Sequence, residues 1–236
     1  MASMNNQEAS SSSATSDFIP YSWTYDVFLS FRGEDTRFGF TGHLHSALLR
    51  KGINTFIDND LTRGEDIAHS LLKVIEESRI SVIVFSENYA SSKWCSDELL
   101  HIHHCNESKQ QMVRPIFYKV DPADIRYQKG SYGEALAKHE RRFPDNLEKV
   151  RRWRRALTRS ANLSGWHYKE HDYEFTFIDN IVEEISLQLL NETYLDVAEY
   201  PIGSGGASPV LTGLEPSLKS PGRDRQDEAI AVGNCG

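Results

Sequence analysis

Residues 91–105, SSKWCSDELLHIHHC, bring together several kinds of side chain that could do chemistry. Two cysteines, three histidines and the acidic pair Asp97 and Glu98 fall within this one stretch. Three interpretations are open: a metal site, a catalytic carboxylate at the edge of a pocket, or an ordinary helix start.

An ordinary helix start accounts for the acidic pair. Ser96 is a good N-cap residue, so Asp97 and Glu98 would lie in the first turn, where the helix dipole favours negative charge. In that position Glu98 would contribute no more than about 1 kcal/mol to stability, because only the dipole interaction is involved.

A metal site needs ligands that converge on one point. His101 and Cys105 are four residues apart and can share a helix face with Glu98, whereas His103 and His104 point elsewhere. No Cys-x-x-Cys pair or second histidine pair completes a tetrahedral set. We therefore expect no structural metal.

The composition indicates one globular domain between two polar tails. The chain has 236 residues, 39% of them hydrophobic, and a net charge of −8, which argues against a protein that binds bare nucleic acid. Residues 1–24 are rich in Ser and Asn, and residues 196–236 are rich in Gly, Pro and Ser. Both tails are predicted to be disordered, which leaves a domain at 25–195.

The sequence shows no signal for export or membrane attachment. Residues 1–18 lack a basic segment followed by an apolar one, and Ala2 stands where myristoylation requires glycine. No apolar run is long enough to span a bilayer, and three cysteines imply no disulfide framework. We expect a cytoplasmic or nuclear protein with no membrane association.

Short apolar runs alternate with helical patterns along the domain. Strands are predicted at 25–31, 53–58, 80–86 and 114–120, with a short fifth apolar segment at 165–168. The first helix is predicted to end at Gly52 and the second to begin near Ile67. Three more are predicted over the 91–105 stretch, 131–142 and 146–163. The last helix is predicted to present one apolar face, made of Phe175, Ile178, Val182, Ile185 and Leu189. This alternation predicts an α/β fold: a flavodoxin-like, doubly wound, five-stranded parallel sheet with helices on both faces.

Sheets of this kind bind ligands where the strand order reverses, beyond the carboxyl ends of the strands. In the order 2-1-3-4-5, that point lies between strands one and three. The loops that follow these two strands contain Arg32 and Gly33 on one side, and Trp94, Cys95 and Glu98 on the other. Topology alone therefore brings the 91–105 stretch to the expected site.

Four blocks of the sequence carry a family resemblance: YDVFLSFRGEDTR, GINTFIDNDLTRGEDI, SRISVIVFSENYASSKWCSDEL and RPIFYKVDPADIR. They resemble the signature blocks of the Toll/interleukin-1 receptor (TIR) domain, in the form found at the N-terminus of plant intracellular immune receptors. The resemblance covers nearly all of residues 25–195. It implies a flavodoxin-like fold and an enzyme that cleaves NAD⁺ or NADP⁺ as substrate, without a bound cofactor. It also implies that self-association switches this activity on and starts defence signalling and cell death.

The resemblance places the catalytic glutamate at Glu98, in the Trp-Cys-x-x-Glu-Leu block. One carboxylate suffices for this chemistry, because nicotinamide leaves a pyridinium cation as a neutral molecule and needs no acid. Trp94 is suited to stack beside the sugar or base, although packing in the core explains a tryptophan there equally well. Arg37 is expected to bind substrate, and the alternative is that it is only a surface charge. The residues expected to bind substrate are Arg32, Gly33, Glu34, Asp35, Thr36, Arg37, Arg63, Gly64, Trp94 and Cys95.

Residues 59–66, NDLTRGED, resemble the BB loop of the family. There Gly64 permits a tight backbone and Arg63 can reach a ligand or a neighbouring subunit, although a plain turn before a helix also explains Gly64. Plant members often carry Ser-His on the first helix as part of a self-association face. Here the corresponding residues are Gly42 and His43, after Thr41, so the serine hydroxyl is missing. The resemblance implies a homo-oligomer and other TIR-containing receptors as partners.

Two alternatives to the enzyme remain. A non-catalytic TIR adaptor or decoy would act only through TIR–TIR association, whereas a phosphate-accepting receiver domain is disfavoured because Ser86 stands where it would carry aspartate. Full-length receptors continue into a Gly-x-x-x-x-Gly-Lys-[Ser/Thr] loop, which this sequence lacks, so both a truncated receptor and a stand-alone TIR protein fit.

The basic run KVRRWRRALTR at 149–159 is the only feature of the domain that suggests nucleic acid. Val150, Trp153 and Leu157 share one helix face and the arginines occupy the others. This pattern favours a solvated amphipathic helix over a nucleic-acid surface, although some members of the family act on nucleic acids.

Overall fold

The computed structural model describes residues 23–58 and 69–199. Its strands β1 (Tyr25–Phe31), β2 (Thr55–Ile57), β3 (Ser78–Phe85), β4 (Met112–Tyr118) and β5 (Trp166–Tyr168) form one parallel sheet in the order β2-β1-β3-β4-β5. Its helices are α1 (Gly33–Thr36), α2 (Phe40–Arg50), α3 (His69–Glu76), α4 (Lys93–Lys109), α5 (Pro122–Arg126), α6 (Gly130–Arg142), α7 (Leu147–Ser160) and α8 (Glu174–Glu199). The predicted doubly wound fold is confirmed.

Alternation of side chains along β1 separates two hydrophobic cores. Val27, Leu29 and Phe31 pack on the face that α2 and α8 cover, whereas Phe28 faces the other side, where α3, α4, α6 and α7 lie. The central strand β3 is buried along almost its whole length, as a parallel strand covered on both faces must be. Because the period is two, Ser30 shares the face of Phe28 and points toward α4.

Strand boundaries differ from the prediction by one or two residues. The strands β3 and β4 begin and end earlier than expected, and β2 is shorter than 53–58. Before β2, the Ile53 amide closes α2 by donating to the Leu48 carbonyl at 3.0 Å. Gly52 has φ +82°, which a side chain would strain, so its prediction as the C′ residue is confirmed. Asp121, expected to close β4, caps α5 through the Ala123 amide at 2.7 Å.

The apolar stripe of α8 is confirmed except at its first member. Ile178, Val182 and Ile185 are buried against the sheet, but Phe175 is 72% exposed. Phe177 takes the place expected of Phe175, because its ring packs 5.1 Å from that of Tyr168, at the end of β5. The helix also continues to Glu199, four residues beyond the predicted end of the domain.

Several predictions fall partly or wholly on residues outside the described ranges. These residues include 1–22 of the N-terminal tail, 200–236 of the C-terminal tail, and 59–68 with Arg63, Gly64 and the helix start near Ile67. The sequence predicts that Thr24 belongs to the N-terminal tail, but its amide donates to the Glu77 carbonyl at 2.8 Å, which attaches it to the domain. Among the described residues, no helix has the length and apolar character needed to cross a bilayer.

The basic run lies on α7 and is amphipathic as predicted. Val150, Trp153 and Leu157 are completely buried. Several of its arginines form ion pairs with carboxylates: Arg154 with Glu140 at 2.9 Å, Arg155 with Glu148 at 2.7 Å, and Arg159 with Glu107. Much of the positive charge of this helix is therefore compensated within the domain.

One histidine of the 91–105 stretch packs between α4 and α7. The Nε2 atom of His103 lies 2.7 Å from the Ser160 hydroxyl and 3.2 Å from the Ala156 carbonyl, and the side chain is 5% exposed. Burial, together with the charge of Arg159, lowers the pKa of His103 to about 4. The imidazole is therefore neutral in the folded domain at neutral pH.

This burial predicts acid sensitivity. The folded-state pKa of about 4 lies below the unfolded value of 6.5, so the contribution of neutral His103 is complete above pH 6.5 and is lost as the pH falls toward 4. The loss amounts to roughly 3 kcal/mol. In denaturant unfolding from pH 7 to 4, His103→Gln should fall less steeply than wild type. His104→Gln, at an exposed position of the same helix, is the control, and parallel curves for wild type and His103→Gln would contradict the prediction.

Candidate active site

The start of α4 differs from the sequence prediction. Ser92, and not Ser96, is the N-cap: its hydroxyl accepts from the Cys95 amide at 3.3 Å. Ser96 lies inside the helix, where its hydroxyl donates to the Ser92 carbonyl at 3.0 Å. Asp97 and Glu98 are consequently in the second turn, beyond the reach of the helix dipole, and the first turn carries no acidic residue. The acidic pair needs another explanation.

The first member of the pair is structural. Asp97 accepts from the Trp153 indole at 3.0 Å and from the Lys149 ammonium at 2.9 Å. Both donors are on α7, so this carboxylate ties α4 to α7.

The second member faces the sheet. Glu98 is 9% exposed and lies against β1, with its Oε2 atom 2.9 Å from the Ser30 hydroxyl. Burial raises the pKa of Glu98 to about 8; the Ser30 hydrogen bond opposes this rise, and the charges of Asp58 and Asp97 add to it. At neutral pH this carboxyl is therefore largely protonated in the ligand-free domain.

Sequence reasoning missed Ser30. It is fully buried, and it is the only polar side chain in the apolar run 27–31 of β1. A hydroxyl inside such a run needs a hydrogen-bonding partner on the face it points to, and that requirement was the available signal.

The loops after β1 and β3 meet, as the topology predicted. Arg32 forms ion pairs with Glu34 and Asp35, just after β1. The Asp35 carboxylate in turn accepts from the Ser86 hydroxyl at 2.6 Å and from the Asn88 amide at 3.1 Å, just after β3. Asp35 is thus a link between the two loops. The sequence did not single out Asn88, and it singled out Ser86 only as evidence against a receiver domain.

Arg37 is a second link, between the β1 loop and the end of β2. Its guanidinium donates to the Asp58 carbonyl at 2.6 Å and stacks 5.0 Å from the centre of the Phe31 ring. It also lies against Gly33, whose missing side chain leaves room for it. The alternative interpretation of Arg37, as a free surface charge, is therefore wrong.

Three of the predicted contact residues are buried and form hydrogen bonds inside the domain. Thr36 and Thr41 hydrogen-bond to each other at 2.7 Å and are 3% and 0% exposed. The Cys95 thiol donates to the Phe31 carbonyl at 3.5 Å, and burial raises its pKa. The substrate-binding role expected of Thr36 and Cys95, and the self-association role expected of Thr41, stay predictions. Trp94, one turn before Glu98, is half-buried.

The other two self-association candidates remain at the surface of α2. The His43 side chain is 66% exposed, with Nδ1 2.8 Å from a carboxylate oxygen of Glu174 on α8. A side chain at Gly42 would place its Cβ 2.6 Å from the Arg37 carbonyl. This contact gives a physical reason for glycine where the family often has serine.

The possible metal ligands of the 91–105 stretch are dispersed. His101 binds Glu76 on α3 at 3.1 Å, His103 faces α7, and Cys105 is buried in the core. Over residues 23–58 and 69–199, no group of three His, Cys, Asp or Glu side chains is arranged to hold a metal ion.

Comparison with known proteins decides the family. The family model described as the TIR domain matches residues 24–200. The chain belongs to the TIR domain family. The disease resistance protein RPV1 of Vitis rotundifolia is 58% identical over 189 residues, which are 80% of this chain and 13% of that protein. The TMV resistance protein N of Nicotiana glutinosa is 48% identical over 168 residues, 71% of this chain and 15% of that protein. The chain thus spans about a seventh of the length of these relatives.

A solved structure agrees with the fold of this TIR domain. The TIR domains of the activated Roq1 resistosome, which directly recognises the pathogen effector XopQ, are 48% identical. They superpose with a TM-score of 0.63 over 69% of this chain and 99% of that one.

The buried carboxyl of this TIR domain predicts a stability effect opposite to that of a helix-start residue. The folded-state pKa of Glu98, about 8, exceeds the ordinary value of 4.5, so its contribution to stability is present below pH 4.5 and is lost as the pH rises through 8. Glu98→Gln keeps the shape of the side chain and a donor toward Ser30. Because the amide does not ionise, the variant does not lose stability as the pH rises. At pH 7 it should raise the free energy of unfolding by roughly 3 kcal/mol, and at pH 4 by almost nothing.

The measurement is chemical denaturation of both proteins between pH 4 and 9. Glu107→Gln, at an exposed glutamate of the same helix, should show no such pH-dependent gain. A Glu98→Gln protein that is less stable than wild type at pH 8 would show that the carboxylate, and not the acid, is the form that the fold prefers.

Proposed function

We propose that this TIR domain cleaves the bond between nicotinamide and ribose in NAD⁺ or NADP⁺, with Glu98 as the catalytic carboxylate. The observation that carries the proposal is the position of Glu98: a buried carboxyl at the switch point between β1 and β3, where doubly wound sheets bind ligands. Perturbed carboxyl groups in such positions are typical of active sites.

The reaction requires little from the protein apart from electrostatic stabilisation of the transition state. The bond from C1′ of the ribose to N1 of nicotinamide breaks, its electron pair goes to the pyridinium ring, and nicotinamide leaves as a neutral molecule. The ribose develops positive charge, which a nearby carboxylate stabilises in a site that excludes water. Water or a hydroxyl of the substrate then attacks C1′ and gives up a proton.

The raised pKa of Glu98 fits a cationic substrate. A neutral carboxyl is stable in the empty domain, but the positive pyridinium favours the ionised form, so binding is expected to release a proton. The carboxylate is then generated where the oxocarbenium-like charge appears. A surface carboxylate, ionised before substrate arrives, would interact with water instead.

The remaining parts of the substrate need cationic and aromatic partners. Arg32 and Arg37 at the same edge of the sheet suit the phosphates, and in the empty domain both are held by internal acceptors. We expect substrate to compete with Glu34 and Asp35 for Arg32. Trp94 is half-buried one turn before Glu98, and we expect it to stack on the ribose or the base.

Self-association is expected to complete the site. β2 ends at Ile57 beside β1, at the edge of the sheet where Glu98 lies, and the resemblance assigns the BB loop to residues 59–66, with Arg63 and Gly64. In an assembly this segment of one subunit can close the site of a neighbour. The exposed His43 and its partner Glu174 offer a contact surface on α2 and α8. The likeness to the Roq1 resistosome TIR domains supports assembly into homo-oligomers, and other TIR-containing receptors are expected as further partners.

The biological role follows from the relatives. Likeness to proteins named for disease resistance supports a function in plant defence signalling. That this signalling leads to cell death is an expectation from the family resemblance. Cys95 and Cys105 are free thiols, which suits the reducing cytoplasm or nucleus that the sequence predicted.

The first test of the proposal is turnover by Glu98→Gln. Folded, assembled variant should lose NAD⁺ cleavage by at least about 10²-fold, because the amide cannot take the negative charge that stabilises the transition state. Products are quantified by mass spectrometry at pH 7.5, with Glu107→Gln as the matched control. Wild-type turnover by Glu98→Gln would end the single-carboxylate mechanism. Inactive wild type that still assembles would favour the non-catalytic adaptor.

The second test concerns concentration. Because a neighbouring subunit is expected to close the site, specific activity should rise with protein concentration, steeply over the range where light scattering reports assembly. His43→Ala should shift that range upward, whereas His104→Ala, exposed on α4, should not. Specific activity that stays constant while scattering increases would reject activation by assembly.

A further inference from the structure

The Glu98 carboxyl is the end of a buried chain of hydrogen bonds. Its Oε2 atom lies 2.9 Å from the Ser30 hydroxyl, which lies 3.0 Å from the Tyr89 hydroxyl, and Tyr89 donates to the Cys95 carbonyl at 3.1 Å. Ser30 and Tyr89 are both completely buried. The chain joins β1, the turn after β3 and α4.

Counting protons shows which form of Glu98 this chain accommodates. There are three contacts, and Ser30 and Tyr89 bring one proton each. A protonated Glu98 brings the third: it donates to Ser30, Ser30 donates to Tyr89, and Tyr89 donates to the Cys95 carbonyl. An ionised Glu98 accepts a hydrogen bond from Ser30. Only the Tyr89 proton then remains for the other two contacts, so one of them has no proton.

We propose that Tyr89 and Ser30 are positioning residues: Tyr89 favours the proton on Glu98 before substrate binds, and Ser30 orients the carboxylate once substrate displaces that proton. The inference rests on the proposed function. When Glu98 ionises, its proton passes to solvent and the Ser30 hydroxyl turns from Tyr89 to the carboxylate. Tyr89 keeps its bond to the Cys95 carbonyl, and no heavy atom has to move.

The surrounding groups act in the same direction. Asp58 after β2 and Asp97 on α4 both oppose a negative charge on Glu98, and burial opposes it most. Burial and the charge of Glu98 also raise the pKa of the Tyr89 phenol and of the Cys95 thiol, with Arg32 lowering that of Cys95, so neither takes up the charge at neutral pH. The Ser30 hydroxyl alone favours the ionised form of Glu98.

The two positioning residues therefore have opposite effects. Tyr89→Phe removes the contact that ionisation leaves without a proton, so the pKa of Glu98 should fall. Ser30→Ala removes the donor that stabilises the carboxylate, so the pKa should rise. If both residues had a purely structural role, the pKa of Glu98 would fall in both variants, because looser packing admits water.

The experiment is a carbon-13 NMR titration of the glutamate carboxyl signals in the full chain without substrate. Glu98→Gln assigns the resonance by its disappearance. The titration midpoint should lie near 8 in wild type, about one pH unit lower in Tyr89→Phe and about one pH unit higher in Ser30→Ala. Tyr132→Phe and Ser81→Ala, at buried hydroxyls that bond to the Ser86 carbonyl and to Gln111, should leave the midpoint unchanged.

The pH profile of NAD⁺ cleavage is the second readout. The acid limb of kcat/KM reports the free enzyme and should move with the titration midpoint, down in Tyr89→Phe and up in Ser30→Ala. Midpoints that move in the same direction in both variants, or in neither, would overturn the proposal. The titration needs no turnover: opposite shifts without NAD⁺ cleavage would retain the positioning chain and reject the proposed reaction.

Discussion

The parallel pairing of β1 with β3 is the interaction on which the site depends. It matches Ser30 with Ile83 and Phe31 with Val84, so both strands end together at one edge of the sheet. The loops that leave this edge are then joined through Asp35, which accepts from Ser86 and Asn88. Strand pairing brings the two loops to the same edge of the sheet, and the hydrogen bonds of the Asp35 carboxylate hold the loops together. A shift of one residue in register would turn Ser30 to the opposite face and remove the partner of Glu98.

Adjacent carboxylates on α4 have different functions because of helix geometry. Successive residues are rotated by about 100°, so Asp97 faces α7 while Glu98 faces β1. Asp97 finds an indole and an ammonium group and stabilises the packing of α4 on α7. Glu98 finds a hydroxyl and little solvent, so its charge is unfavourable in the empty domain. The same burial that destabilises the carboxylate makes it responsive to a cationic substrate.

Local rules predicted the elements well and their ends less well. The β1 strand and the Gly52 terminus of α2 followed from apolar runs and glycine chemistry. The N-cap of α4 did not, because Ser92 and Ser96 are equally good caps by residue type. The choice falls to Ser92 because the turn at Tyr89–Ser91 delivers the chain to it in extended conformation. Phe175 shows the same limit, since only the position of β5 selects Phe177 for the core.

The sequence by itself determined the alternation of strands and helices and, through the topology that this alternation predicts, the edge at which ligands are expected to bind. These properties depend on periodicity, and therefore on residue types, whereas the family resemblance singled out Glu98 as the candidate carboxylate. The tertiary structure decided which polar groups are available: it buried Thr36, Thr41 and Cys95 and engaged Arg37 in a link between loops. It also placed Ser30 and Tyr89 beside Glu98. Proton state and availability depend on burial and on neighbours distant in sequence, so no local pattern specifies them.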